Sequence, residues 1–438
     1  MCKALLNNKL KKCIRENYTF DLKPRTFIKK AFSTRNLTCY LMAKLTLNDI
    51  DVTGKKVMMR VDFNVPIIDG KITDDNRVQA ALPSINHVLE NGGLLILTSH
   101  LGRPKGQKNP EFSLKPVADH LARLIKAPVH FADDCIGEAA TSVIDAAKPG
   151  EVVVLENVRF YKEETDNDEE FSKKLAAHAE VFVNDAFGSS HRAHASVAGV
   201  TRFLQPAVSG YLLDKEIKYL SDSVNDPDRP FVAILGGAKV SDKIPVIEQL
   251  ITKVDTIIIG GGMAYTFLVA NGKSVGNSLL QKELVPIAKK LMEDAKTAGV
   301  NLMLPFDFVI ADDFSNDANQ EVVDEDNIKD GWEALDIGPQ TAISFGNVIK
   351  SAKTVVWNGP MGVFEMPSFA EGTNAVALAL VEATEFGATS IIGGGDSASA
   401  IKNAGLSDKV SHVSTGGGAS LEYLEGKDLP GVSSLTDK

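Results

Sequence analysis

Short apolar runs, rich in β-branched residues, alternate with longer stretches of helical periodicity along most of this chain. The runs are VMMRV (57–61), LLILT (94–98), VVVL (152–155), VFV (181–183), FVAIL (231–235), TIIIG (256–260), TVVW (354–357) and SIIGGGD (390–396). Between them lie segments such as SLKPVADHLARLIK (113–126) and SFAEGTNAVALALVEA (368–383), which have an apolar residue every three to four positions. Strands that are apolar throughout are typical of parallel sheets covered on both faces by helices. The alternation therefore predicts an α/β fold of doubly wound, Rossmann-like parallel sheets.

About ten strands are more than one such sheet usually holds, so we expect two sheets in two domains. The helical pattern YLLDKEIKYLSDSV (211–224) runs into NDPDRP, where the prolines cannot continue a helix. We expect a first domain at 42–210, a connecting helix and hinge at 211–230, and a second domain at 231–404.

Residues 1–41 differ in charge from the rest of the chain. This leader has ten Lys or Arg residues and two acidic residues, Glu16 and Asp21, so its formal charge is +8 while the whole chain carries −10. It lacks the apolar core of a secretory signal, and three interpretations stay open: translation upstream of a true start at Met42, a transit peptide, or a functional arm. We expect a disordered or non-native extension that activity does not need.

The acidic remainder limits the partners that we expect. Its charge of −18 argues against general nucleic-acid binding, which needs an extended basic face. Its apolar runs are far shorter than the roughly 20 residues of a membrane-spanning helix, so no membrane partner is expected. Cys2, Cys13, Cys39 and Cys135 form neither a C-x-x-C pair nor a disulfide framework, which fits a reducing compartment. We expect a cytoplasmic monomer that acts on small molecules.

Polar and cationic segments follow the predicted strands of the first half. They are RVDFNVP (60–66), TSHLGRPKG (98–106), ENVRF (156–160) and NDAFGSSHRAHAS (184–196), with DDNRVQ (74–79) beside them. Ligands bind beyond the carboxyl ends of strands in an open parallel sheet, so these segments predict a site. Its candidate residues are Asp62, Asn64, Arg77, His100, Arg103, Arg159, Arg192 and His191. Guanidinium groups bind phosphate and carboxylate bidentately, which favours a small, polyanionic, hydroxylated ligand. A metal site at His191 and His194 is a weaker interpretation, since no third ligand stands at a zinc-site spacing.

Glycine-rich segments follow the predicted strands of the second half. They are LGGAKVSDKI (235–244), GGGMA (260–264), WNGPMGVFE (357–365), GGGDSASA (393–400) and STGGGAS (414–420). Glycine lets backbone amides approach phosphate oxygens, and Lys239 and Lys243 lie near a helix start at which Ser241 is the expected N-cap. Asp396 is a candidate Mg²⁺ ligand. An anion site on one sheet and a nucleotide-like site on the other predict phosphoryl transfer across a cleft, catalysed by positioning and charge neutralisation because no general base is evident.

No standard nucleotide fingerprint accompanies these glycines. NGKS (271–274) matches the end of a P-loop, but Phe267 stands where the first glycine is required, and no run satisfies G-x-G-x-x-G. Two other classes stay open. A dinucleotide-dependent dehydrogenase leaves the arginines unexplained, and a non-catalytic binding protein would tolerate loss of Arg77, Lys243 or Asp396.

The ordered series VDFNVP, SHLGRPKG, ENVRF, NDAFGSSHRAHAS, LGGAKVSDKI, GGGMAYTFL, WNGPMGVFE, GGGDS and STGGGASLEYLEGKDLPG resembles the phosphoglycerate kinase family over about residues 42–431. The compact chain is similar to bacterial members more than to eukaryotic ones, and residues 1–41 depart from the family pattern. The resemblance implies reversible phosphoryl transfer between 1,3-bisphosphoglycerate plus ADP and 3-phosphoglycerate plus MgATP, a glycolytic step, after domain closure. It also implies that residues 405–438 form part of the hinge and return toward the first domain.

The resemblance further implies individual roles. Arg77, Lys243 and Gly395 would be catalytic, and Asp396 would hold the Mg²⁺ that accompanies ATP or ADP. The residues that bind phosphoglycerate would be Asp62, Asn64, Arg77, His100, Leu101, Gly102, Arg103, Arg159 and Arg192. The residues that bind the nucleotide would be Lys239, Lys243, Gly260, Asn358, Glu365, Gly394, Gly395, Asp396 and Ser397. Arg192 would then belong to an anion cradle lined by His191. Measuring ATP formation from 1,3-bisphosphoglycerate separates a kinase from the other two classes.

Overall fold

Two six-stranded, all-parallel sheets carry most of the strands in residues 43–438, the part of the chain that this computed structural model describes. The expectations for residues 1–41 lie outside the described residues. The strands of the first half are β1 (Lys56–Val61), β2 (Ile67–Ile68), β3 (Lys71–Ile72), β4 (Leu94–Thr98), β5 (Val129–Ala132), β6 (Val152–Leu155), β7 (Val181–Asp185) and β8 (Ala207–Ser209). Its helices are α1 (Asn76–Glu90), α2 (Lys115–Leu124), α3 (Gly137–Ala146), α4 (Lys162–Asp166) and α5 (Glu169–Ala176). The first sheet has the order β5-β6-β4-β1-β7-β8, and β2 and β3 form a small antiparallel hairpin.

A connecting helix, α6 (Tyr211–Asn225), leads into the second half. The strands there are β9 (Phe231–Leu235), β10 (Thr256–Ile259), β11 (Asn301–Met303), β12 (Asp307–Ala311), β13 (Gln320–Asp324), β14 (Glu333–Ile337), β15 (Thr354–Asn358), β16 (Thr389–Gly393) and β17 (His412–Val413). The helices are α7 (Ile244–Leu250), α8 (Ala264–Ala270), α9 (Val285–Ala298), α10 (Pro339–Ser351), α11 (Glu371–Glu385), α12 (Gly395–Asn403), α13 (Gly417–Leu424) and α14 (Pro430–Ser433). The second sheet has the order β11-β10-β9-β15-β16-β17, and a three-stranded antiparallel sheet has the order β13-β12-β14.

The central strands are apolar throughout because helices cover both faces of each parallel sheet. In β1, alternate residues enter different apolar clusters: Met58 packs in one, and Val57 and Met59 pack in another. Strands β4 and β9 are likewise buried at all five of their residues. The predicted doubly wound α/β class is therefore confirmed.

Each parallel sheet changes its direction of winding at one pair of neighbouring strands. In the first sheet the chain leaves β1 toward β4 on one side and leaves β7 toward β8 on the other. In the second sheet it leaves β9 toward β10 and β15 toward β16 in the same divergent way. Such switch points form crevices at the carboxyl ends of the strands, where ligands bind.

The C-terminal residues pack against the first sheet after the chain has built the second one. The Gly431 N–H donates to the Ser190 carbonyl at 2.8 Å, and the Thr436 N–H donates to the Ala207 carbonyl at 2.9 Å. Lys44 forms an ion pair with Asp437 at 2.6 Å. The two halves are thus joined by α6 and by this returning segment. The domain limits expected at 42–210, 211–230, 231–404 and 405–438 stay a prediction.

Within residues 43–438, no helix combines the length and the apolar character that crossing a membrane requires.

Candidate functional site

A cavity of about 300 Å³ lies at the switch point of the first sheet, and we call it the first cavity. It is lined by Asp62, Asn64, Arg77, His100, Gly102, Arg103, Arg159, Gly188, Ser189, His191, Arg192, Gly416, Gly417 and Gly418. All the polar residues predicted from the first-half segments are among them. Leu101 is not, because its side chain packs in the apolar core while its carbonyl accepts a hydrogen bond from Asn157 Nδ2 at 2.7 Å.

The residues after β1 form the acceptor side of the first cavity. Asp62 Oδ1 accepts a hydrogen bond from Arg77 Nη1 at 3.1 Å, and the same nitrogen donates to the Asn64 carbonyl at 3.1 Å. Asn64 Oδ1 accepts from the Gly102 N–H at 2.8 Å. A Cβ at Gly188 would lie 2.6 Å from Asp62 Oδ2, so only glycine lets the loop after β7 approach this carboxylate.

Cationic side chains form the opposite side of the first cavity. Arg159 donates from Nη1 to the Gly102 carbonyl at 2.9 Å, and Arg192 donates from Nε to His191 Nε2 at 3.0 Å. Arg103, Arg159 and Arg192 form no salt bridge with any carboxylate in the described part of the chain. Burial, followed by the charges of Arg60 and Arg192, lowers the pKa of Arg159 to about 10, so it stays charged at neutral pH. This unbalanced positive charge suits an anion with several negative groups.

The histidines of this region are held neutral. Burial, followed by the charge of Arg159, lowers the pKa of His194 to about 3. Burial and the neighbouring Arg192 also lower the pKa of His191. Neither histidine belongs to a cluster of three metal-ligating side chains, and residues 43–438 contain no such cluster. The anion-cradle interpretation of the NDAFGSSHRAHAS segment therefore fits the geometry better than a metal site.

A second cavity, of about 310 Å³, lies at the switch point of the second sheet. It is lined by Gly236, Gly237, Ala238, Lys239, Asp242, Lys243, Asn358, Gly359, Gly394, Gly395, Asp396, Ser397, Gly417, Gly418 and Leu421. Two predicted nucleotide-binding residues do not line it. Gly260 lies beneath Met361, whose Sδ would be 2.4 Å from a Cβ at that glycine, and Glu365 is exposed on the loop after β15.

Lys243 occupies the buried side of the second cavity. Its Nζ donates to Asn358 Oδ1, and burial lowers the pKa of the ammonium group to about 8 against the opposing effect of Asp242 and Asp396. The other amide atom of Asn358, Nδ2, is buried and makes no hydrogen bond to any described residue. Two donors thus face this part of the cavity, and Lys239 adds an exposed ammonium group at its edge.

The predicted N-cap at Ser241 is wrong. Helix α7 begins at Ile244, with Lys243 at the N-cap position, and the Ser241 hydroxyl donates to Asp242 Oδ1 at 3.0 Å. Pro245 explains the later start, since proline is favoured in the first turn of a helix, where its missing N–H is not needed. Lys243 consequently lies at the helix start and not within its first turn.

Helix α12 presents its N-terminus to the second cavity. Gly394 precedes the helix with φ of 91°, a left-handed conformation that favours glycine. Ser397 is buried, and its hydroxyl accepts a hydrogen bond from the Gly359 N–H at 2.6 Å, which ties α12 to the end of β15. The first N–H groups of a helix lack partners within it, so this terminus can bind phosphate oxygens.

One segment, Gly416–Gly418, borders both cavities, and we call it the glycine wall. A Cβ at Gly416 would lie 2.7 Å from the Gly188 Cα, and a Cβ at Gly417 would lie 2.9 Å from the Gly394 Cα. The glycine wall therefore contacts loops of both sheets. A side chain at Gly416 or Gly417 would push the wall away from those loops. The three consecutive glycines in STGGGAS were the available signal, but the order of the strands was needed to place them between the two sites.

Two parallel sheets, a cationic cavity on one, a helix N-terminus at the cavity of the other and a common wall are the features expected of an enzyme that transfers a phosphoryl group. The phosphoglycerate kinase family model matches residues 47–427. Phosphoglycerate kinase from Chloroherpeton thalassium is 57% identical over 396 residues, which cover 90% of this chain and 100% of the relative. The enzyme of that name from Clostridium botulinum is 56% identical over 397 residues, covering 90% of this chain and 99% of the relative.

Solved structures agree with these relatives. Phosphoglycerate kinase from Coxiella burnetii superposes with a TM-score of 0.81 at 42% identity, covering 90% of this chain and 98% of that structure. The enzyme from Pyrococcus horikoshii superposes with a TM-score of 0.78 at 32% identity, covering 89% and 98%. The chain belongs to the phosphoglycerate kinase family. It is a phosphotransferase of glycolysis with a carboxyl group as acceptor, and the functional class predicted from the sequence is confirmed.

Proposed function

We propose that the first cavity binds 3-phosphoglycerate or 1,3-bisphosphoglycerate, that the second binds ADP or ATP, and that the phosphoryl group crosses at the glycine wall. One observation carries this assignment: Gly417 and Gly418 line both a cavity with unbalanced arginines and a cavity at a helix N-terminus. A common wall lets two separately bound ligands meet without either leaving its sheet.

The acidic substrate is bound by the residues at the carboxyl edge of the first sheet. Arg159, Arg192 and Arg103 supply cations for its phosphate and carboxylate groups. Asp62 and Asn64 supply oxygens that suit its hydroxyl group. Arg77 bonds to Asp62 on one side and lines the cavity on the other, so it can neutralise charge on the transferring group.

The nucleotide phosphates are bound by donors at the carboxyl edge of the second sheet. The N–H groups of Gly395 and its neighbours at the start of α12 and the ammonium groups of Lys239 and Lys243 point to this role. The unpaired Asn358 Nδ2 is a further donor that a phosphate oxygen would satisfy.

Asp396 is the residue that we propose for holding Mg²⁺. Its exposed carboxylate lines the second cavity in the first turn of α12, and among residues 43–438 no cluster of further ligands surrounds it. This fits Mg²⁺, which proteins commonly bind through one or two carboxylates plus substrate phosphates and water. The ion would supply charge neutralisation on the nucleotide phosphates.

The transfer needs little from the protein beyond position and charge. An oxygen of the β-phosphate of ADP attacks the phosphorus of the acyl phosphate, the new P–O bond forms, and the bond to the C1 carboxylate oxygen breaks. The leaving carboxylate takes up no proton, so no general acid or base is required. Lys243, Arg77 and the Gly395 N–H stabilise the charge that spreads over the transferring oxygens.

Formation of ATP from 1,3-bisphosphoglycerate and MgADP by the purified chain is the direct test. The Arg159→Ala and Lys243→Ala variants should each lose this activity, whereas only the first should lose affinity for 3-phosphoglycerate. Equal loss of affinity for both ligands in either variant would contradict the assignment of one substrate to each sheet.

We also propose that the enzyme works as a cytoplasmic monomer. Its place in glycolysis and its cysteine pattern support the compartment. Residues of one chain are sufficient to line both cavities, so the proposed sites need no second subunit. Sedimentation velocity of the active enzyme tests the oligomeric state, and a dimer at catalytic concentrations would contradict it.

A further inference from the structure

Arg60 lies beneath the first cavity, in the interior of β1, and is completely buried. Its guanidinium group donates from Nε to Ser196 Oγ at 2.8 Å, from Nη1 to the Val61 carbonyl, and from Nη2 to His100 Nδ1 at 3.1 Å. All three branches of the side chain are therefore bonded. The residue does not line the first cavity and belongs to none of the roles proposed above.

A buried carboxylate balances this charge through a serine. Glu164 is also completely buried, and it accepts hydrogen bonds from the Ser196 N–H at 2.8 Å and from the Ser196 hydroxyl at 2.7 Å. Because the serine hydroxyl has one proton and gives it to Glu164, it must accept from Arg60. The chain Arg60, Ser196, Glu164 fixes the orientation of the guanidinium group.

The contact with His100 has a chemical consequence. Arginine has donors and no acceptor, so a nitrogen that faces Nη2 at hydrogen-bonding distance must be the unprotonated nitrogen of the imidazole. His100 lines the first cavity, and its Nε2 makes no hydrogen bond with any residue of the described chain. The neutral ring then carries its proton on Nε2.

We propose that Arg60 is a positioning residue that holds His100 in the neutral Nε2–H tautomer, so that His100 donates a hydrogen bond to an acceptor oxygen of the bound acid. This rests on the proposed function of the first cavity. The charged groups around the ring agree with a neutral histidine. Burial comes first, and the charges of Arg60, Arg159 and Arg77 add to it in lowering the pKa of His100 well below its ordinary value. Asp62 Oδ1, at 3.9 Å from Nδ1, is the opposing carboxylate.

The tautomer can be measured in the ligand-free protein, without any variant at Arg60. Ring-¹⁵N-labelled histidine gives different shifts for a protonated and an unprotonated ring nitrogen, and His100→Gln identifies the His100 signals. We expect a protonated Nε2 and an unprotonated Nδ1 that stay unchanged from pH 8 to pH 6. A protonated Nδ1 at neutral pH would overturn the proposal, whatever the protein binds.

Arg60→Met tests the role of the arginine, with Ser196→Ala as the matched control. In Arg60→Met the His100 ring should populate both tautomers and titrate at a higher pH, and affinity for 3-phosphoglycerate should fall about tenfold at pH 8, as expected for one lost hydrogen bond. Ser196→Ala disturbs the same buried network but keeps the Nη2 contact, so the His100 signals should not change. The same change of tautomer in both variants would attribute it to general loosening and overturn the role of Arg60.

The two parts of the inference fail separately. If the wild-type protein shows the Nε2–H tautomer but does not bind 3-phosphoglycerate in calorimetry, the proposed function of the first cavity fails. If it binds 3-phosphoglycerate and Arg60→Met folds and keeps both the tautomer and the affinity, the role of Arg60 fails.

Discussion

Lys243 shows what burial does to a single side chain at this site. The ammonium group is removed from water beside Asn358 before any ligand arrives, and its lowered pKa records the free energy that this removal costs. A charge held in this way needs no further loss of solvent when a phosphate meets it. Such groups stabilise transition states more strongly than exposed charges do.

Replacement of Lys243 by alanine should therefore lower turnover more than it lowers nucleotide binding. We expect kcat to fall about a hundredfold to a thousandfold, by analogy with the loss of one donor to a developing negative charge. Steady-state kinetics in both directions measures this, with Lys239→Ala as the control, because Lys239 is exposed on the same cavity. A raised KM with unchanged kcat would make Lys243 a ground-state contact only.

The lowered pKa of Lys243 also predicts how nucleotide affinity depends on pH. The charged form binds phosphate, and it is lost as pH rises through about 8. ADP affinity should thus be constant below that pH and fall above it, down to the affinity of Lys243→Ala, because the neutral amine loses the same contact. Isothermal calorimetry from pH 6.5 to 9.5 measures it, and Lys243→Arg should abolish the dependence because arginine stays charged. An ADP affinity that does not change with pH in the wild-type enzyme would contradict the lowered pKa of Lys243.

Replacement of Arg192 tests whether the two cavities bind different substrates. Arg192→Ala should weaken 3-phosphoglycerate binding by about 1.5–3 kcal/mol, the range for a hydrogen bond to a charged group. ADP affinity should stay unchanged, because Arg192 lines only the first cavity. Arg202→Ala is the matched control, since this arginine is exposed outside both cavities. Comparable losses for both ligands in calorimetry would argue against separate sites.

At the scale of elements, the connecting helix α6 begins at a buried carboxylate. Asp185, at the end of β7, is buried and accepts hydrogen bonds through Oδ1 from the Leu212 N–H at 2.8 Å and the Leu213 N–H at 3.1 Å. Burial raises the pKa of Asp185 to about 7, although a hydrogen bond from the Ser84 hydroxyl and those from the two N–H groups act against it. The same residue thus ends a strand of the first sheet and caps the helix that leads to the second.

This raised pKa predicts a pH-dependent stability. The folded protein binds a proton at Asp185 more tightly than the unfolded chain does, so its stabilising contribution is complete at low pH and is lost between about pH 4 and pH 7. Asp185→Asn keeps an oxygen for the helix N–H groups and should remove up to about 1.4 kcal/mol per pH unit from the slope of unfolding free energy over that range. Urea unfolding at several pH values measures the slope. An unchanged slope in the variant would mean that Asp185 is ionised in the fold.

The elements that sequence patterns predicted are those with a buried, parallel environment. Strands such as β4 and β9 are apolar throughout because both faces are covered. The antiparallel sheet was not predicted, since its edge strand β13 is QEVVD and is exposed at four of its five residues. Such a short polar strand has no periodic signal and depends on pairing with β12.

The site was predictable where polar residues follow an apolar strand, and less so elsewhere. Asp62, Asn64 and Arg192 stand beyond strand ends, and the structure brings them into one cavity. Arg60 stands inside an apolar strand, where a pattern of burial gives no reason to expect a bonded cation. Ser196 is 136 residues from Arg60 along the chain, and Glu164 is 32 residues from Ser196. Only the fold could therefore reveal the network.

At the scale of the whole molecule, an ion pair joins the two halves outside the cavities. Lys402 on α12 contacts Asp74 in the loop that precedes α1, and both side chains are partly exposed. Pairs of this kind contribute less than about 1 kcal/mol, so this one can bias the separation of the halves without holding them together.

For the complete enzyme we predict that the two halves close when both substrates are bound. In-line transfer needs reacting atoms within about 3–3.5 Å, and water must be kept from the phosphoryl group, so both substrates together should favour the most compact state. Small-angle scattering on the free, singly liganded and doubly liganded enzyme should show a radius of gyration that is smallest with both ligands. Lys402→Ala should slightly increase the radius of gyration of the free enzyme. Lys409→Ala is the control, because Lys409 is an exposed lysine nearby in the sequence. A constant radius in all ligand states would refute closure.

The glycine wall has a thermodynamic meaning beyond its shape. Gly416 lies against the loop at Gly188 and Gly417 against the start of α12 at Gly394, so under the proposed assignment a ligand that displaced the wall from one side would change the free energy of binding on the other. Linkage makes this effect reciprocal: the factor by which ADP alters affinity for 3-phosphoglycerate equals the factor by which 3-phosphoglycerate alters affinity for ADP. Three residues without side chains would thus couple the binding of the two substrates. The sign of that single coupling free energy would determine whether each substrate strengthens or weakens binding of the other.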